Sequence, residues 1–382
     1  MAIRDRFVRG KQASSQAPTR LRSGRRPGAS AAGGVTSASP RGKRACRQPA
    51  LGRLDLVPSS NEHPGPVERV FCRCEQEQAD HRCAARERWD LLVLAGEPGP
   101  VPTMLLSVTN ELVVRRADPA LRRHIRGYWG YASELPGRAR QREPLSTGVV
   151  MILGLGPRLG LADRADLAQP AAWFGSFVAG LNDACAVIEH KGQMRGVQVD
   201  LSPLATRMIF RESMCSLARE VVALEHLLGR EGRVLEERLM EAGTWEERFD
   251  LVQAMLAAKL QAAEPPPPDV DWAWRRLAAS RGRLRVAELA TELGCSRKHL
   301  AARFREHVGL PPKLVARMLR FRHASDCLLG ASSSSLSELA ATCGYYDQAH
   351  LDRDFRDFAQ TTPTAYLAEQ VTFVQDASPA VS

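Results

Sequence analysis

Residues 285–312 read RVAELATELGCSRKHLAARFREHVGLPP, and residues 336–366 read LSELAATCGYYDQAHLDRDFRDFAQTTPTAY. In the first stretch Val286, Leu289, Ala290 and Leu293 fall on one helical face. Gly294 follows, a residue that tolerates positive φ in a tight turn. Ser296 is a good N-cap for a second helix. That helix repeats Leu300, Phe304 and Val308 every fourth position, a stripe that must be buried. Its other face carries Arg297, Lys298, Ala301, Ala302 and Arg305. One side is suited to a partner helix, and the other is small or basic and suited to the major groove.

The pattern then recurs. Glu288-Leu289-Ala290 returns as Glu338-Leu339-Ala340, and Leu300 and Phe304 return as Leu351 and Phe355. The offset grows from 50 to 51 residues, so the second turn, near Gly344-Tyr345-Tyr346, is one residue longer. Asp347 can cap the second outer helix, whose free face shows Gln348, Ala349, Asp352, Arg353 and Arg356. Between the repeats, Pro312 opens a long helix to about Leu329, with Lys313, Arg317, Arg320 and Arg322 making one side basic.

Residues 283–367 resemble the AraC family of bacterial regulators. The resemblance is carried by Ala290, Gly294, Ser296, Leu300, Phe304, Gly309, Pro312, Arg320, Ala324 and Leu328 in the first half. In the second half it is carried by Leu339, Ala340, Gly344-Tyr345, Asp347, Leu351, Phe355, Pro363 and Tyr366. Val315, Gln360 and Leu367 depart from it, standing where an aromatic, a glycine and a basic residue are common.

The resemblance implies two recognition helices in successive major-groove turns of double-stranded DNA, held by the linker helix. The expected DNA-binding set is Ser296, Arg297, Lys298, Ala301, Ala302, Arg305, Lys313, Gln348, Ala349, Asp352, Arg353 and Arg356. Arg297, Lys298, Arg353 and Gln348 are the candidates for base edges, since Arg pairs with guanine and Gln with adenine. Lys313, Arg305 and Arg356 are the candidates for phosphate. Any one of these cations reads equally well as a solvated helix face. Asp352 could accept from cytosine N4 or pair with Arg356 at i+4. RNA polymerase, a small-molecule effector and a second copy of the chain are the further partners the resemblance implies.

Upstream, residues 104–262 read as a sensor or dimerisation region. Strands are expected at Glu111–Val114, Thr147–Leu153, Trp173–Val178 and Gly196–Leu201, and helices at Leu217–Leu228, Arg230–Ala242 and Trp245–Gln261. Thr244 and Glu247 read as a capping box. Tyr128-Trp129-Gly130-Tyr131, 175–181 and 196–201 are similar to a sensor-like region found beside such modules in actinobacterial-type regulators, which implies a small β-barrel-like or mixed fold. Tyr128, Trp129, Trp173 and Phe177 read as core before pocket. Glu264-Pro-Pro-Pro-Pro-Asp269 reads as a stiff linker over 263–270, with the all-α region over 271–370 and a tail at 371–382. The expected class is therefore α+β: a mixed β-rich and helical region, then an all-α DNA-binding domain with two helix-turn-helix units.

Residues 1–103 carry 18 Lys/Arg against 10 Asp/Glu, whereas 271–382 carry 15 against 12. The overall charge of +10 thus sits mostly in a stretch expected to be a disordered basic extension, and is weak evidence for DNA. One reading places the translation start at Met104. Trp89–Ala95 could be helix or strand. There is no apolar run long enough to span a bilayer and no secretory h-region, so a cytoplasmic location is expected.

Weaker constellations point elsewhere. Cys72, Cys74, His81 and Cys83 are four soft ligands, but Cys-x-Cys is not the usual zinc spacing. Gly154-Leu-Gly156-Pro-Arg-Leu-Gly160 lacks a phosphate-loop signature and reads as a turn. His190 with Asp200, and His226 with Glu225, lack a nucleophile or metal motif. No cofactor, metal or enzymatic activity is expected. A bifunctional enzyme and a metal-sensing adaptor remain the alternative classes.

Overall fold

The computed structural model describes residues 68–70, 111–134, 137, 139–162, 171–330 and 335–368. The expectations for the basic extension, for Trp89–Ala95, for Met104, for the cluster at 72–83 and for the tail lie outside the described residues. The exception is a short strand, β1 (Glu68–Val70), inside the expected extension.

Alternating apolar residues build two antiparallel sheets. β2 (Glu111–Arg115), β3 (Ile125–Glu134), β5 (Val149–Gly154), β8 (Phe177–Ala179), β10 (Gln193–Leu201) and β11 (Val221–Ala223) join β1 in the order β1-β2-β3-β10-β5-β8-β11. β4 (Ala139–Glu143), β6 (Leu159–Ala162), β7 (Ala172–Phe174) and β9 (Ala186–His190) form the smaller sheet, ordered β4-β9-β6-β7. The period of two sorts the side chains of the large sheet. Val149, Met151, Leu153, Val197, Val199 and Leu201 join the main core with the helices, while Trp129, Tyr131, Ile152 and Phe177 pack with Leu159 and Ile188 of the small sheet. Tyr128, Trp129 and Phe177 are buried, as core residues should be, and Trp173 is half-buried with Lys191 Nζ 4.6 Å from its ring.

Two sequence expectations are corrected here. Trp173–Val178 is not one strand, because the chain bends at Gly175-Ser176 and β7 and β8 enter different sheets. Leu217–Leu228 is not one helix. It divides into the end of α2 (Met214–Leu217), strand β11 and α3 (Leu224–Leu228). Arg219 takes a positive φ of 64°, and the β-branched Val221-Val222 pairs with Val178 and Ala179 of β8. Sheet pairing outweighs the helical spacing.

Among the other helices of this region, Arg230–Glu241 and Trp245–Gln261 follow the sequence closely, whereas Pro203–Phe210 is not expected from it. α1 (Pro203–Phe210) is capped by Ser202, then come α4 (Arg230–Glu241) and α5 (Trp245–Gln261), the latter with the full Thr244/Glu247 capping box. α5 lies on the sheet: Trp245 Nε1 donates to Glu111 at 2.8 Å and Arg115 pairs with Asp250. After the prolines, α6 (Pro268–Ala279) leads into α7 (Val286–Glu292), α8 (Arg297–Val308), α9 (Pro312–Gly330), α10 (Leu336–Thr342) and α11 (Gln348–Ala359). Among the described residues no helix is long and apolar enough to cross a membrane.

The β-rich region and the C-terminal helices share one continuous core within the compact unit 62–382. Val270, Ala273, Trp274 and Leu277 of α6 belong to it. Across the join, Cys215 Sγ donates to Arg305 O at 2.8 Å, Cys185 N donates to Phe358 O at 3.1 Å, and Arg207 lies 3.9 Å from Glu306. His307 is buried at this join with neither ring nitrogen hydrogen-bonded. Burial, and then the charge of Arg207, holds its pKa below the ordinary 6.5.

The unfolded chain therefore takes up a proton below pH 6.5 that folded His307 resists, so stability is lost as pH falls through that window. His124 and His190 act in the same direction. Thermal unfolding from pH 7 downward should show a falling Tm, and His307→Leu should flatten that slope. An unchanged slope would mean that His307 is already solvated or paired.

Candidate nucleic-acid interface

Each helix-turn-helix unit is closed by local chemistry. In the first, Arg285 N donates to Glu288 Oε2 at 3.2 Å, which fixes the start of α7. Gly294 turns the chain at φ +62°, and Ser296 Oγ accepts from His299 N at 3.1 Å to start α8. In the second, Ser335 and Glu338 form a reciprocal capping box on α10. Gly344 turns at φ +78°, and Asp347 Oδ1 accepts from His350 N at 2.7 Å to start α11. Leu300, Phe304 and Val308 of α8, and Leu351, Phe355 and Phe358 of α11, are buried. Phe355 meets Phe321 of α9 edge-on at 4.9 Å between ring centroids.

Burying those stripes leaves the opposite faces outward. Ser296, Arg297, Lys298, Ala302 and Arg305 are exposed around α8, and Ala301 is half-buried. Gln348, Ala349, Arg353 and Arg356 are exposed on α11, and Lys313 at the start of α9. Asp352 is half-buried, with Oδ1 enclosed and unpartnered; no ion pair with Arg356 forms among the described residues.

The cations divide into two groups. Arg303 forks onto Asp269 with bonds of 2.8 and 3.1 Å, and Arg276 faces Glu292 at 3.2 Å. Arg317 grips the buried Asp354 and also Asp357, each at 2.6 Å. Hydrogen bonding to these two carboxylates holds the Arg317 guanidinium above its ordinary pKa, against the cost of burial. Arg320 donates to Gly344 O and stacks on Tyr345, and Arg322 lies 2.9 Å from Asp326. The basic side expected on the linker helix is thus engaged within the fold, apart from Lys313. By contrast, the side chains of Arg297, Lys298, Arg305, Lys313, Arg353 and Arg356 make no hydrogen bond or ion pair among the described residues. Unspent cations on an outward face are what polyanion binding requires.

A family model described as a helix-turn-helix domain matches residues 289–369. The match spans both helix-turn-helix units, from α7 to beyond α11. Such a domain is a DNA-binding module of transcription regulators. No curated protein matches the chain. Among solved structures, an apo form of a ToxT variant from Vibrio cholerae is 10% identical, with 67% of this chain and 100% of that chain covered and a TM-score of 0.39. An AraC-type regulator from Chromobacterium violaceum is 24% identical over 27% of this chain and 92% of its own, at a TM-score of 0.25. The C-terminal domain of AraT, a response regulator from Geobacillus stearothermophilus, is 20% identical over 28% and 88%, at 0.26.

Two exposed residues beside the expected set were not singled out from sequence. His299 lies on the first turn of α8, and Tyr346, 93% exposed, stands immediately before α11. Tyr345 beside it is buried, so only the turn geometry separates the two tyrosines.

The division of cations generates a contrast. Arg317→Ala leaves Asp354 buried without its charge partner and should cost roughly 1–3 kcal/mol, discounted for the partial exposure of Arg317. Arg353→Ala should leave stability within about 0.5 kcal/mol. Denaturant unfolding of both variants measures the difference, and equal losses would contradict the division.

Proposed function

We propose that the chain is a sequence-specific regulator that reads double-stranded DNA with two recognition helices, α8 and α11. The observation that carries this reading is the set of unpaired cations on the outward faces of both helices, beside Arg residues that are consumed inside the fold. On this reading Arg297 and Lys298 reach base edges from α8, and Gln348 and Arg353 from α11. Arg305, Lys313 and Arg356 meet phosphate, and Ser296, Ala301, Ala302, Ala349 and Asp352 complete the contact faces. Tyr346 adds an aromatic tip at the second turn.

The β-rich region is assigned the controlling role. It touches α8 through Cys215 and Arg305, and α11 through Cys185 and Phe358, so a ligand or second copy that moves α2 or the strand ends also moves both helices. A small-molecule effector or a homodimer would act by differential binding to two such arrangements. Val234 and Met240 on α4 are exposed apolar side chains available to a second copy. RNA polymerase is the partner through which a DNA-bound regulator would act, and the cytoplasm is its proposed site.

Selection of bound sequences from a random duplex pool with the full chain tests the reading. The expected result is a bipartite motif with its parts about one helical turn apart, the first relaxed by Arg297→Ala and the second by Arg353→Ala. Each substitution should weaken binding about 5- to 150-fold if the lost contact is to a base. Binding without an enriched motif, or insensitive to salt, would overturn sequence-specific recognition.

A further inference from the structure

The helix-turn-helix region holds a histidine and two cysteines to which DNA reading gives no role. His323 and Cys327 stand one turn apart on α9, so their side chains share a face. Cys343 is the C-cap of α10 and is fully buried. The fold brings these three together: the ligand atoms of His323, Cys327 and Cys343 all lie within 4.8 Å of one another. Cys327 Sγ is 3.6 Å from His323 Nδ1 and 3.9 Å from Nε2.

We propose that His323, Cys327 and Cys343 bind a thiophilic divalent cation of the zinc type, clamping the linker helix to the turn of the second helix-turn-helix unit. Two thiolates and an imidazole are a zinc donor set. Zinc holds sulfur at about 2.3 Å and nitrogen at about 2.0–2.1 Å in a tetrahedron, which separates neighbouring ligand atoms by roughly 3.3–3.8 Å. The His323–Cys327 spacing already falls there, and the widest separation needs to close by only about 1 Å. Three protein ligands leave a fourth position for water or an external thiol.

The surroundings are basic, and the ion must enter against them. Arg281 Nη1 lies 3.2 Å from Nε2 and 3.4 Å from Nδ1 of His323, so a cationic group already faces the imidazole. Burial, and then the neighbouring Cys327, pushes the Cys343 thiol up to about 12; Arg281 and Arg283 oppose this without reversing it, so an ion must displace the proton as it binds. An ion carrying two positive charges, bound by two thiolates, leaves the site neutral, and two protons depart on binding. Arg281 must yield one ring nitrogen as the ion enters. Cys343 precedes Gly344, whose turn leads to Tyr346 and α11, so the ion would fix the entry of the second recognition helix.

The test uses the full chain with Cys72, Cys74 and Cys83 replaced by Ser, so that the remaining cysteine cluster of the sequence cannot bind the ion. The chain is stripped with chelator under reducing conditions and titrated with zinc alone, then with cobalt for thiolate-to-metal charge-transfer absorption. The expected result is one ion per chain, with the absorption band of two thiolates. Affinity should fall about 100-fold or more in Cys327→Ser and in His323→Gln. These two half-buried positions are chosen because Cys343→Ser could disturb the core, and the metal-free Tm of each should match its parent. Absence of zinc binding, or binding that both variants retain, would overturn the proposal. So would a Cys327–Cys343 disulfide formed under mild oxidant in a reduced chain that ignores zinc, which would make the pair a redox switch. The readout contains no DNA, so it stands apart from the DNA-binding reading.

Discussion

Two close backbone approaches set the position of α8, the outer helix of the first helix-turn-helix unit. At Gly180, after β8, a Cβ would come within 1.8 Å of the carbonyl oxygen of Leu217. At Gly309, the C-cap of α8 with φ +96°, a Cβ would come within 2.7 Å of the carbonyl oxygen of Met214. Met214 and Leu217 are the two ends of α2. The short helix is therefore pressed between the sheet on one side and the end of the recognition helix on the other, with only glycines able to stand at either contact. Backbone hydrogen bonds close the arrangement, from Gly180 N to Glu220 O and from Arg219 N to Leu181 O. At these two points a strand end and α8 are spaced by main chain, which leaves little slack.

Charge adds direction to this packing. Asp200 is buried on the sheet and Arg126 is half-buried, and each is pushed toward its neutral form first by burial. The Gln198 side chain, which donates to Asp200 at 2.9 Å, and the charges of Arg126 and Arg322 offset this for Asp200; Asp200 and Asp326 offset it for Arg126, against the like charge of Arg322. Apolar surfaces can slide at modest cost, but separating buried charges leaves each alone at a cost of several kcal/mol. Such a pair holds α9 to α11, through Arg317 and Asp354. The arginines facing inward maintain this geometry. Those facing outward have no partner among the described residues and are left to a polyanion.

The sequence made the two helix-turn-helix units legible because their signals are local. The four-residue apolar stripe, the glycine of each turn and the capping oxygens of Ser296 and Asp347 all act within a few residues. The outward residues followed, since burying one face of a helix exposes the other. What escaped depends on distant partners. Val221-Val222 became a strand because β8 needed a neighbour, and Trp173–Val178 broke because two sheets competed for it. Arg317 looked like its basic neighbours until Asp354, 37 residues away, was placed beside it. His323, Cys327 and Cys343 form no motif by spacing and meet only when α9 and α10 pack.

The four prolines illustrate the same limit with a functional consequence. By composition they are a spacer, and Pro267 is indeed extended, with ψ 133°. Yet the next helix starts at Pro268 and returns at once to the core: Asp269 anchors Arg303 on the recognition helix, and Val270 and Trp274 pack among residues of both regions. A spacer between independent bodies would let the β-rich region change state without consequence for DNA, so control would need a second copy or a new contact. A short extended link between halves of one core does the opposite. A rearrangement of the sheet ends, α1 or α2 bears directly on α8 and α11, through the contacts of Cys215 with Arg305, Arg207 with Glu306 and Cys185 with Phe358. On the function proposed above, control of DNA reading by the β-rich region would need no separate relay, only two arrangements of one shared core.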